Sequence, residues 1–477
     1  MLRRLALGIG PLLFLAVLVL PPPGAPTESA WRVAGLAAWM ALWWLSAVVP
    51  LEATSLLPLV VLPLAGIGDF AAVAGHYADP VIFLFLGGFM IAAALERWEL
   101  HRRFAAAAIR AAGTDSRRIV LAFLLATAFL SMWISNTAAA VMMVPIAAAA
   151  AGLERGRALT ETAGHGGFPV ALLLAVAYGA TLGGVATLIG TPPNAIFAAN
   201  ARALAGVEVT FASWLPVGLA VSIPMLIVCW WVLVTVCRVP RGSTSPLATS
   251  ATGPRGPLVP GERFVLGVFA GAALAWLLRT PKVIGSVRVP GLTDLVPALD
   301  DAGIAMVAAL LLFAVPIRHE NRRFALDWET ARHVQWGVLL LFGGGLALAG
   351  AFESSGLTTW ISGRLTGLRG LPDPVVIGAT ATLFVSLTEL TSNTATSALG
   401  MPLLAGAADG MGLPPLQLML TAALSSSMAF MLPVSTPPNA IVFGFGVLRI
   451  GHMVRVGIVL CVASILVTTT VVSFGLF

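Results

Sequence analysis

The chain has 477 residues, of which 58% are hydrophobic and only 10% are charged. A soluble domain carries about 25% charged residues, so this chain lacks the charge to cover several hydrated domains. Its net charge of +6 comes from arginines spread over loops, without a basic face interleaved with aromatic residues. The composition therefore predicts a multi-pass protein of the cell (inner) membrane that does not bind nucleic acid.

The apolar runs have lengths that match a bilayer core of about 30 Å, and together they predict an all-α polytopic membrane protein with about 11 spanning helices. The clearest runs are 5–21, 31–49, 53–68, 80–95, 213–237, 264–278, 302–316 and 456–476. The first run has the features of a signal peptide, but in a polytopic chain the simpler interpretation is that it forms the first spanning helix. Arg3 and Arg4 before it place the N-terminus in the cytoplasm.

The next informative segment is 119–151, which is apolar apart from Ser131 and the group Ser135-Asn136-Thr137. Six arginines precede it in 97–118, and Arg155 and Arg157 follow it. Basic residues at both ends place both ends on the same face of the membrane. The segment therefore predicts a re-entrant helical hairpin with a polar tip.

The chain contains two copies of one unit. The string Ser135-Asn136-Thr137-Ala138 recurs as Ser392-Asn393-Thr394-Ala395, and the same ungapped shift superposes Phe85 on Phe342. We therefore expect three regions. They are a first repeat 1–237 with hairpin 119–151 and broken helix 168–206, a cytoplasmic linker 238–263, and a second repeat 264–477 with hairpin 375–408 and broken helix 415–448.

The loop charges predict that the two repeats cross the membrane in opposite directions. Segment 354–374, before the second hairpin, has two arginines where 97–118 has six. This asymmetry is what an inverted-topology repeat predicts. The loop 279–288 fits poorly, because it carries three basic residues on the side predicted to be outside.

Each repeat also carries the motif Thr-Pro-Pro-Asn-Ala, at 191–195 and 436–440. Consecutive prolines lack backbone donors and exclude the α conformation for the preceding residue, so a helix should stop at Thr191 and at Thr436. One such motif is most simply a kink repaired by neighbouring helices, but four breaks at symmetric positions indicate a binding site. Hydroxyls, carboxamides and free carbonyls are ligands for Na⁺, and helix N-termini attract anions, so the pattern indicates a secondary transporter.

These motifs together resemble the divalent anion:sodium symporter family, which comprises Na⁺-coupled dicarboxylate, citrate and sulfate carriers. The stretch 426–442 is similar to the C-terminal signature of that family, and the resemblance covers essentially the whole chain. It implies a homodimer in which a transport domain moves against a static scaffold, which is an elevator mechanism.

The resemblance also implies which residues bind. The first sodium site would use Ser131, Ser135, Asn136 and the backbone at Gly190, and the second Thr388, Thr391, Asn393 and the backbone at Ser435. The substrate would contact Ser135, Asn136, Thr137, Thr191, Ser392, Asn393, Thr394, Thr436 and Pro437. No cofactor is expected, and no metal beyond Na⁺ as the coupling ion.

Glu389 is the one acidic residue inside the second hairpin, and its counterpart in the first is Met132. It could ligate a cation, carry a proton or act as a structural strut, and its place beside the tip favours the strut. His165 and His333 lie in predicted loops without a partner pattern. The three cysteines lie in apolar runs and predict packing rather than metal binding.

The main functional hypothesis is inward symport of a dicarboxylate or tricarboxylate with Na⁺. An exchanger that swaps carboxylates independently of Na⁺, or a sulfate carrier on the same fold, remains open. The chain has no intramembrane His-Glu-x-x-His, paired aspartates or Gly-x-Ser-x-Gly, which argues against an enzyme.

The inverted repeat predicts opposite accessibility for the two segments before the hairpins. Single cysteines at 113–117 should react with an impermeant thiol reagent from the cytoplasmic side, and those at 366–370 from outside. The measurement is labelling of intact cells and of inside-out vesicles. Labelling of both segments from one face would contradict the inverted orientation.

Overall fold

The computed structural model describes residues 2–20, 27–153, 167–242, 256–284, 287–319 and 322–475. Arg155, Arg157, His165 and most of the predicted linker lie outside these described residues. The described part is mainly helical, with two short antiparallel ribbons. The prediction of an all-α membrane fold is confirmed, because the ribbons only connect helices.

The helices of the first half run from the N-terminus to the linker. They are α1 (Leu2–Val19), α2 (Glu28–Ser46), α3 (Leu51–Thr54), α4 (Leu57–Leu64), α5 (Phe70–Gly75), α6 (Pro80–Arg97), α7 (Leu100–Ala112), α8 (Ser116–Ser131), α9 (Asn136–Ala150), α10 (Phe168–Ala186), α11 (Pro192–Ala205) and α12 (Phe211–Val236).

The second half contains the remaining helices and the four strands. The helices are α13 (Pro260–Leu278), α14 (Asp301–Ala314), α15 (Trp328–Ala331), α16 (Trp336–Ser354), α17 (Leu357–Leu365), α18 (Asp373–Leu390), α19 (Asn393–Met411), α20 (Pro415–Ser426), α21 (Pro437–Gly444) and α22 (Ile450–Ser473). Strand β1 (Lys282–Ile284) pairs with β2 (Val287–Val289), and β3 (Pro316–His319) pairs with β4 (Arg322–Phe324).

Within the described residues, seven helical spans are at least 18 residues long and apolar enough to cross a membrane. They are Phe70–Arg97, Phe168–Ala186, Phe211–Val236, Pro260–Leu278, Trp336–Ser354, Asp373–Leu390 and Ile450–Ser473. Four shorter apolar helices accompany them, at Ala6–Val19, Leu51–Leu64, Asn136–Ala150 and Asp301–Ala314. The chain is therefore a multi-pass membrane protein.

The two predicted hairpins correspond to α8 with α9 and to α18 with α19. In each hairpin the helices contact each other, and a non-helical tip of a few residues joins them. The structured hairpins begin two or three residues before the predicted starts at 119 and 375. The opposite membrane orientation of the two repeats stays a prediction.

The arginine-rich segment 97–118 differs from the predicted loop, because most of it forms helix α7. The equivalent segment 354–374 contains helix α17. Helix α7 is amphipathic, carries three arginines and packs against α8. An amphipathic helix of this kind is typical of a segment that lies along the membrane surface.

Asp115 fixes the junction between α7 and the first hairpin. Its carboxylate accepts hydrogen bonds from the backbone N–H groups of Arg117 and Arg118, which caps α8, and from that of Gly242. The bond from Gly242 is the largest of the effects that lower the pKa of Asp115. The start of the linker is thereby tied to the base of the hairpin.

The basic loop 279–288 that fits poorly with the predicted topology contains paired arginines. Arg279 is buried and forms ion pairs with Asp301 at 2.9 Å and with Glu208 at 2.8 Å. Arg288 pairs with Asp294 at 2.8 Å. These two arginines therefore join elements of the fold, which gives them a role independent of membrane orientation.

Candidate anion and cation site

The two hairpin tips and the two helix breaks meet at one cavity of about 650 Å³. Most of the residues predicted for the site line it: Ser135, Asn136, Thr137, Gly190, Thr191, Thr391, Ser392, Asn393, Thr394, Ser435, Thr436 and Pro437. Ser131 and Thr388 do not line the cavity and are fully buried behind the tips. The tertiary structure thus brings together residues that are hundreds of positions apart in the chain.

Each tip begins a helix that points its N-terminus at the cavity. Ser135 caps α9 by accepting a hydrogen bond from the backbone N–H of Ala138 at 3.2 Å. Ser392 caps α19 in the same way, through Ala395 at 3.5 Å. The first backbone N–H groups of a helix have no intrahelical acceptor. Their positive partial charge makes both tips suited to an anion.

The free donors of the tips are the backbone N–H groups of Asn136, Thr137, Asn393 and Thr394. None of them has a hydrogen-bond acceptor within the described part of the chain. The four side chains also line the cavity and add two carboxamides and two hydroxyls. The tips therefore offer two matched sets of donors, one from each repeat.

Behind each tip a buried hydroxyl holds the carboxamide of the tip asparagine. Ser131 Oγ donates to Asn136 Oδ1 at 2.7 Å, and Thr388 Oγ1 lies 2.6 Å from Asn393 Oδ1. Thr388 Oγ1 also lies 2.5 Å from the backbone oxygen of Ser426. A hydroxyl has a single proton and can donate to one of these two oxygens. The surplus of converging oxygen atoms is typical of a site for a hard cation.

The helix breaks are longer than the prolines alone predict. Helix α10 ends at Ala186, five residues before Thr191, and α20 ends at Ser426, ten residues before Thr436. Helices α11 and α21 then begin directly after the two threonines. The intervening segments 187–191 and 427–436 present backbone carbonyls near the cavity.

The asparagine of each Thr-Pro-Pro-Asn motif satisfies part of these carbonyls. Asn194 Nδ2 donates to the backbone oxygens of Gly184 at 3.1 Å and Thr187 at 2.8 Å. Asn194 is fully buried, so an unpaired carbonyl here would be costly. Asn194 was absent from the predicted site residues, and its recurrence in the repeated motif was the signal for it.

The second repeat uses the same arrangement. Asn439 Nδ2 donates to the backbone oxygens of Ala429 at 3.3 Å and Leu432 at 3.1 Å, and to Ser435 Oγ at 3.1 Å. Asn439 is fully buried. The two asparagines therefore bond carbonyls at equivalent positions of the two breaks.

The tips and the breaks offer different chemistry, because α11 and α21 each begin with two prolines. Pro192, Pro193, Pro437 and Pro438 have no backbone N–H, so these helices supply a dipole and a threonine hydroxyl but no donors at their first two positions. Helix N-termini with free backbone donors at their first positions are therefore found at the tips and not at the breaks. The breaks contribute oxygen atoms, which favours cations.

A close backbone approach fixes the first tip against the first break. A Cβ atom at Gly184 would lie 2.3 Å from Asn136 Oδ1. Gly190 is similarly constrained, since a Cβ there would lie 2.4 Å from the backbone oxygen of Gly184. Glycine at 184 allows the Asn136 carboxamide to approach the broken helix, and glycine at 190 allows the break to pack on the end of α10.

The facing wall of the cavity was not predicted from the sequence. Helix α2 contributes Trp44 and Ser46, α6 contributes Phe85 and Phe89, and the start of α16 contributes Gln335. These residues carry no motif, and aromatic residues in apolar runs are usually core, so sequence reasoning had no signal for them. Among the described residues that line the cavity, none is charged.

Glu389 does not line the cavity. Its side chain is buried at 2% exposure and accepts hydrogen bonds from backbone N–H groups of the second break. This position agrees with the predicted strut.

His333 is exposed and its Nδ1 contacts the backbone oxygen of Glu329, away from the site. The described residues contain no group of three or more His, Cys, Asp or Glu side chains placed to hold a metal ion.

Comparison with known proteins gives a consistent result. A family model described as "Sodium:sulfate symporter transmembrane region" matches residues 5–476. The sodium-dependent dicarboxylate transporter SdcS of Staphylococcus saprophyticus is 39% identical over 98% of this chain and 90% of the relative. SdcS of Staphylococcus aureus is also 39% identical, over 99% of this chain and 91% of the relative.

Two solved structures share the fold at low sequence identity. The YdaH transporter of Alcanivorax borkumensis superposes with a TM-score of 0.58 and 15% identity, covering 93% of this chain and 98% of that one. MtrF of Neisseria gonorrhoeae, from a study of antimetabolite efflux pumps, has a TM-score of 0.58 and 11% identity, covering 99% and 94%.

The contact between Gly184 and Asn136 predicts that Gly184→Ala weakens Na⁺ binding. The added methyl group must displace the Asn136 carboxamide, so we expect a loss of about tenfold or more in Na⁺ affinity. The measurement is the rise in melting temperature of purified protein across a Na⁺ titration. Asn136→Ala should show the same loss.

Gly88→Ala is the matched control, because a Cβ at Gly88 would meet Ile189 at an ordinary 3.8 Å. Equal Na⁺ titrations for Gly184→Ala and wild type would remove Asn136 from the cation site.

Proposed function

Because the chain belongs to the sodium:sulfate symporter family of membrane transporters and is not an enzyme, we propose that it imports a dicarboxylate together with Na⁺. The observation that supports this proposal most directly is the cavity that the two donor-rich tips and the two oxygen-rich breaks line together. The shared identity of 39% with the sodium-dependent dicarboxylate transporters SdcS supports the same substrate and coupling ion.

The shape of the donor sets supports a dicarboxylate. The tips of α9 and α19 each offer two free backbone N–H groups and one carboxamide. Two such sets accommodate two separate carboxylates, one at each tip. The cavity of about 650 Å³ has room for a four-carbon diacid and for a tricarboxylate.

The absence of charged side chains from the described cavity lining supports coupling to cations. A dianion moving into a cell at about −100 mV opposes the potential by about 2.3 kcal/mol for each charge. Without fixed basic residues, bound Na⁺ has to neutralise the substrate. The proposed sites are Ser131, Ser135, Asn136 and Gly190 in the first repeat, and Thr388, Thr391, Asn393 and Ser435 in the second.

We further propose that the two walls of the cavity move against each other, as in an elevator. The tips and breaks form one wall, and α2, α6 and α16 form the other. An ion pair joins the walls: Arg202 on α11 contacts Asp79, which caps the N-terminus of α6. A displacement of α11 along α6 has to break this pair.

The described cavity lies toward the end of the molecule where α2 finishes and α16 begins. Arg97, at the C-terminus of α6, pairs with Asp327 just ahead of α15 and α16 at that end. The Arg202–Asp79 pair is therefore at the opposite end of α6. With a cytoplasmic N-terminus, the cavity opens to the cytoplasm and the ion pair lies on the outer side.

We also propose that the protein is a homodimer in the cell membrane.

The test of coupling is uptake of labelled succinate into proteoliposomes that contain the purified protein. An inward Na⁺ gradient should increase the initial rate at least about tenfold over a K⁺ gradient. Uptake should also proceed into vesicles without internal anion. Uptake that is independent of Na⁺ and requires internal succinate would instead establish an exchanger. Uptake of labelled sulfate that unlabelled sulfate inhibits and succinate does not would establish a sulfate carrier.

Loss of the ion pair between the walls should shift the protein away from the conformation described here. Asp79→Asn keeps an acceptor for the α6 cap but removes the charge that attracts Arg202. An exposed pair contributes up to about 1 kcal/mol, so the population should change by at most about fivefold. The measurement is the labelling rate of a cysteine placed at Ser46 on the cavity wall, in a background without Cys237.

Arg332→Gln is the control, because Arg332 pairs with Glu329, three residues earlier in the same short segment, and this pair does not join the two walls. The labelling rate at position 46 should fall in Asp79→Asn and stay unchanged in the control. Equal rates in both variants would mean that the Arg202–Asp79 pair does not stabilise this conformation.

A further inference from the structure

The buried carboxylate of Glu389 holds the second helix break. Its Oε1 accepts the backbone N–H groups of Phe430 at 2.6 Å and Met431 at 2.8 Å, and its Oε2 accepts that of Leu432 at 3.1 Å. The thiol of Cys461 contacts Oε1 at 3.3 Å. Three consecutive donors of a non-helical segment are thus satisfied by one side chain.

All four described partners of Glu389 are donors, and none is a basic side chain. An ionised carboxylate is acceptor-only and matches this surrounding set of donors. Charge-assisted bonds from backbone N–H groups stabilise an anion without neutralising it. Glu389 therefore contributes a fixed negative charge to the interior.

That charge lies in the hairpin segment that carries two of the side chains proposed for the second cation site. Glu389 follows Thr388 in α18 and comes two residues before Thr391. The backbone that it holds leads directly to Ser435, the remaining backbone ligand proposed for this site. Glu389 does not reach the cavity itself, so it acts on a cation through space and through the position of this segment.

The first repeat makes the equivalent connection without a charge. Its hairpin position is Met132, and the hydroxyl of Thr187 in the first break donates to the backbone oxygen of Met132. Thr187 and Leu432 occupy equivalent places, since Asn194 and Asn439 bond their respective carbonyls. The same two positions join tip to break in both repeats, by a neutral bond in one and by a carboxylate in the other.

We propose that Glu389 is a positioning residue that makes the two cation sites unequal, so that the second site binds Na⁺ more tightly than the first. The proposal rests on the proposed function, because it presupposes Na⁺ at both sites. A negative charge in a medium of low dielectric constant attracts a cation over several ångströms. The second site should therefore fill first as the Na⁺ concentration rises.

The main experiment compares Na⁺ activation of succinate uptake in wild type, Glu389→Gln and Glu389→Asp. Glu389→Gln removes the charge and should raise the Na⁺ concentration for half-maximal uptake about tenfold. The succinate KM at saturating Na⁺ should change less than threefold. Glu389→Asp keeps the charge and should restore most of the Na⁺ affinity.

Glu353→Gln is the matched control, because it makes the same change in charge at a residue that is exposed near the end of α16. It should leave Na⁺ activation unchanged. Unaltered activation in Glu389→Gln would overturn the proposal, and so would equal losses in the Gln and Asp variants, because a purely structural strut predicts those.

A second measurement applies if Glu389→Gln fails to fold. Na⁺ titrations of melting temperature are made on Thr388→Ala, which leaves the first site, and on Ser131→Ala, which leaves the second. The proposal expects tighter residual binding in Ser131→Ala, and the reverse order would overturn it. A wild-type protein that shows no Na⁺ dependence would contradict the proposed function itself, which is a distinct result.

Discussion

The structure depends on how it satisfies backbone groups that four interrupted helices leave unpaired inside an apolar protein. An unpaired carbonyl or N–H in this setting costs several kcal/mol. Asn194 and Asn439 bond the carbonyls of the two breaks, and Glu389 bonds three donors of the second. Glu389 also joins the second break to its hairpin, and the bond from Thr187 to the backbone oxygen of Met132 joins the first. The residues of the cavity therefore form one preorganised unit.

The distribution of hydrogen-bond donors and acceptors also separates the place of the anion from the places of the cations. Paired prolines deprive α11 and α21 of their first donors, while α9 and α19 keep theirs at Asn136 and Asn393. Donors therefore concentrate at the tips and acceptors at the breaks. An anion and cations can then occupy adjacent places, and each lowers the electrostatic cost of binding the other.

The pseudo-symmetry extends to individual hydrogen bonds but not to charge. Each repeat pairs a buried hydroxyl with the oxygen of its tip asparagine. At the next connection the repeats differ, since Met132 offers a backbone oxygen and Glu389 a carboxylate. A duplicated scaffold can keep its geometry while its two halves diverge in electrostatics, because a neutral bond in one repeat and a carboxylate in the other join the same two positions.

The sequence by itself determined the membrane class, the duplication, the hairpins and breaks, and nearly all polar residues of the cavity. Composition, repeated motifs and proline chemistry are local properties, so they could be read without coordinates. Only the tertiary structure decided that α10 ends five residues before Thr191, that α7 replaces a predicted loop, and that Phe85, Phe89 and Gln335 face the tips. These features depend on which distant backbone groups and side chains come into contact, and packing between elements leaves no periodic or motif signal in the chain.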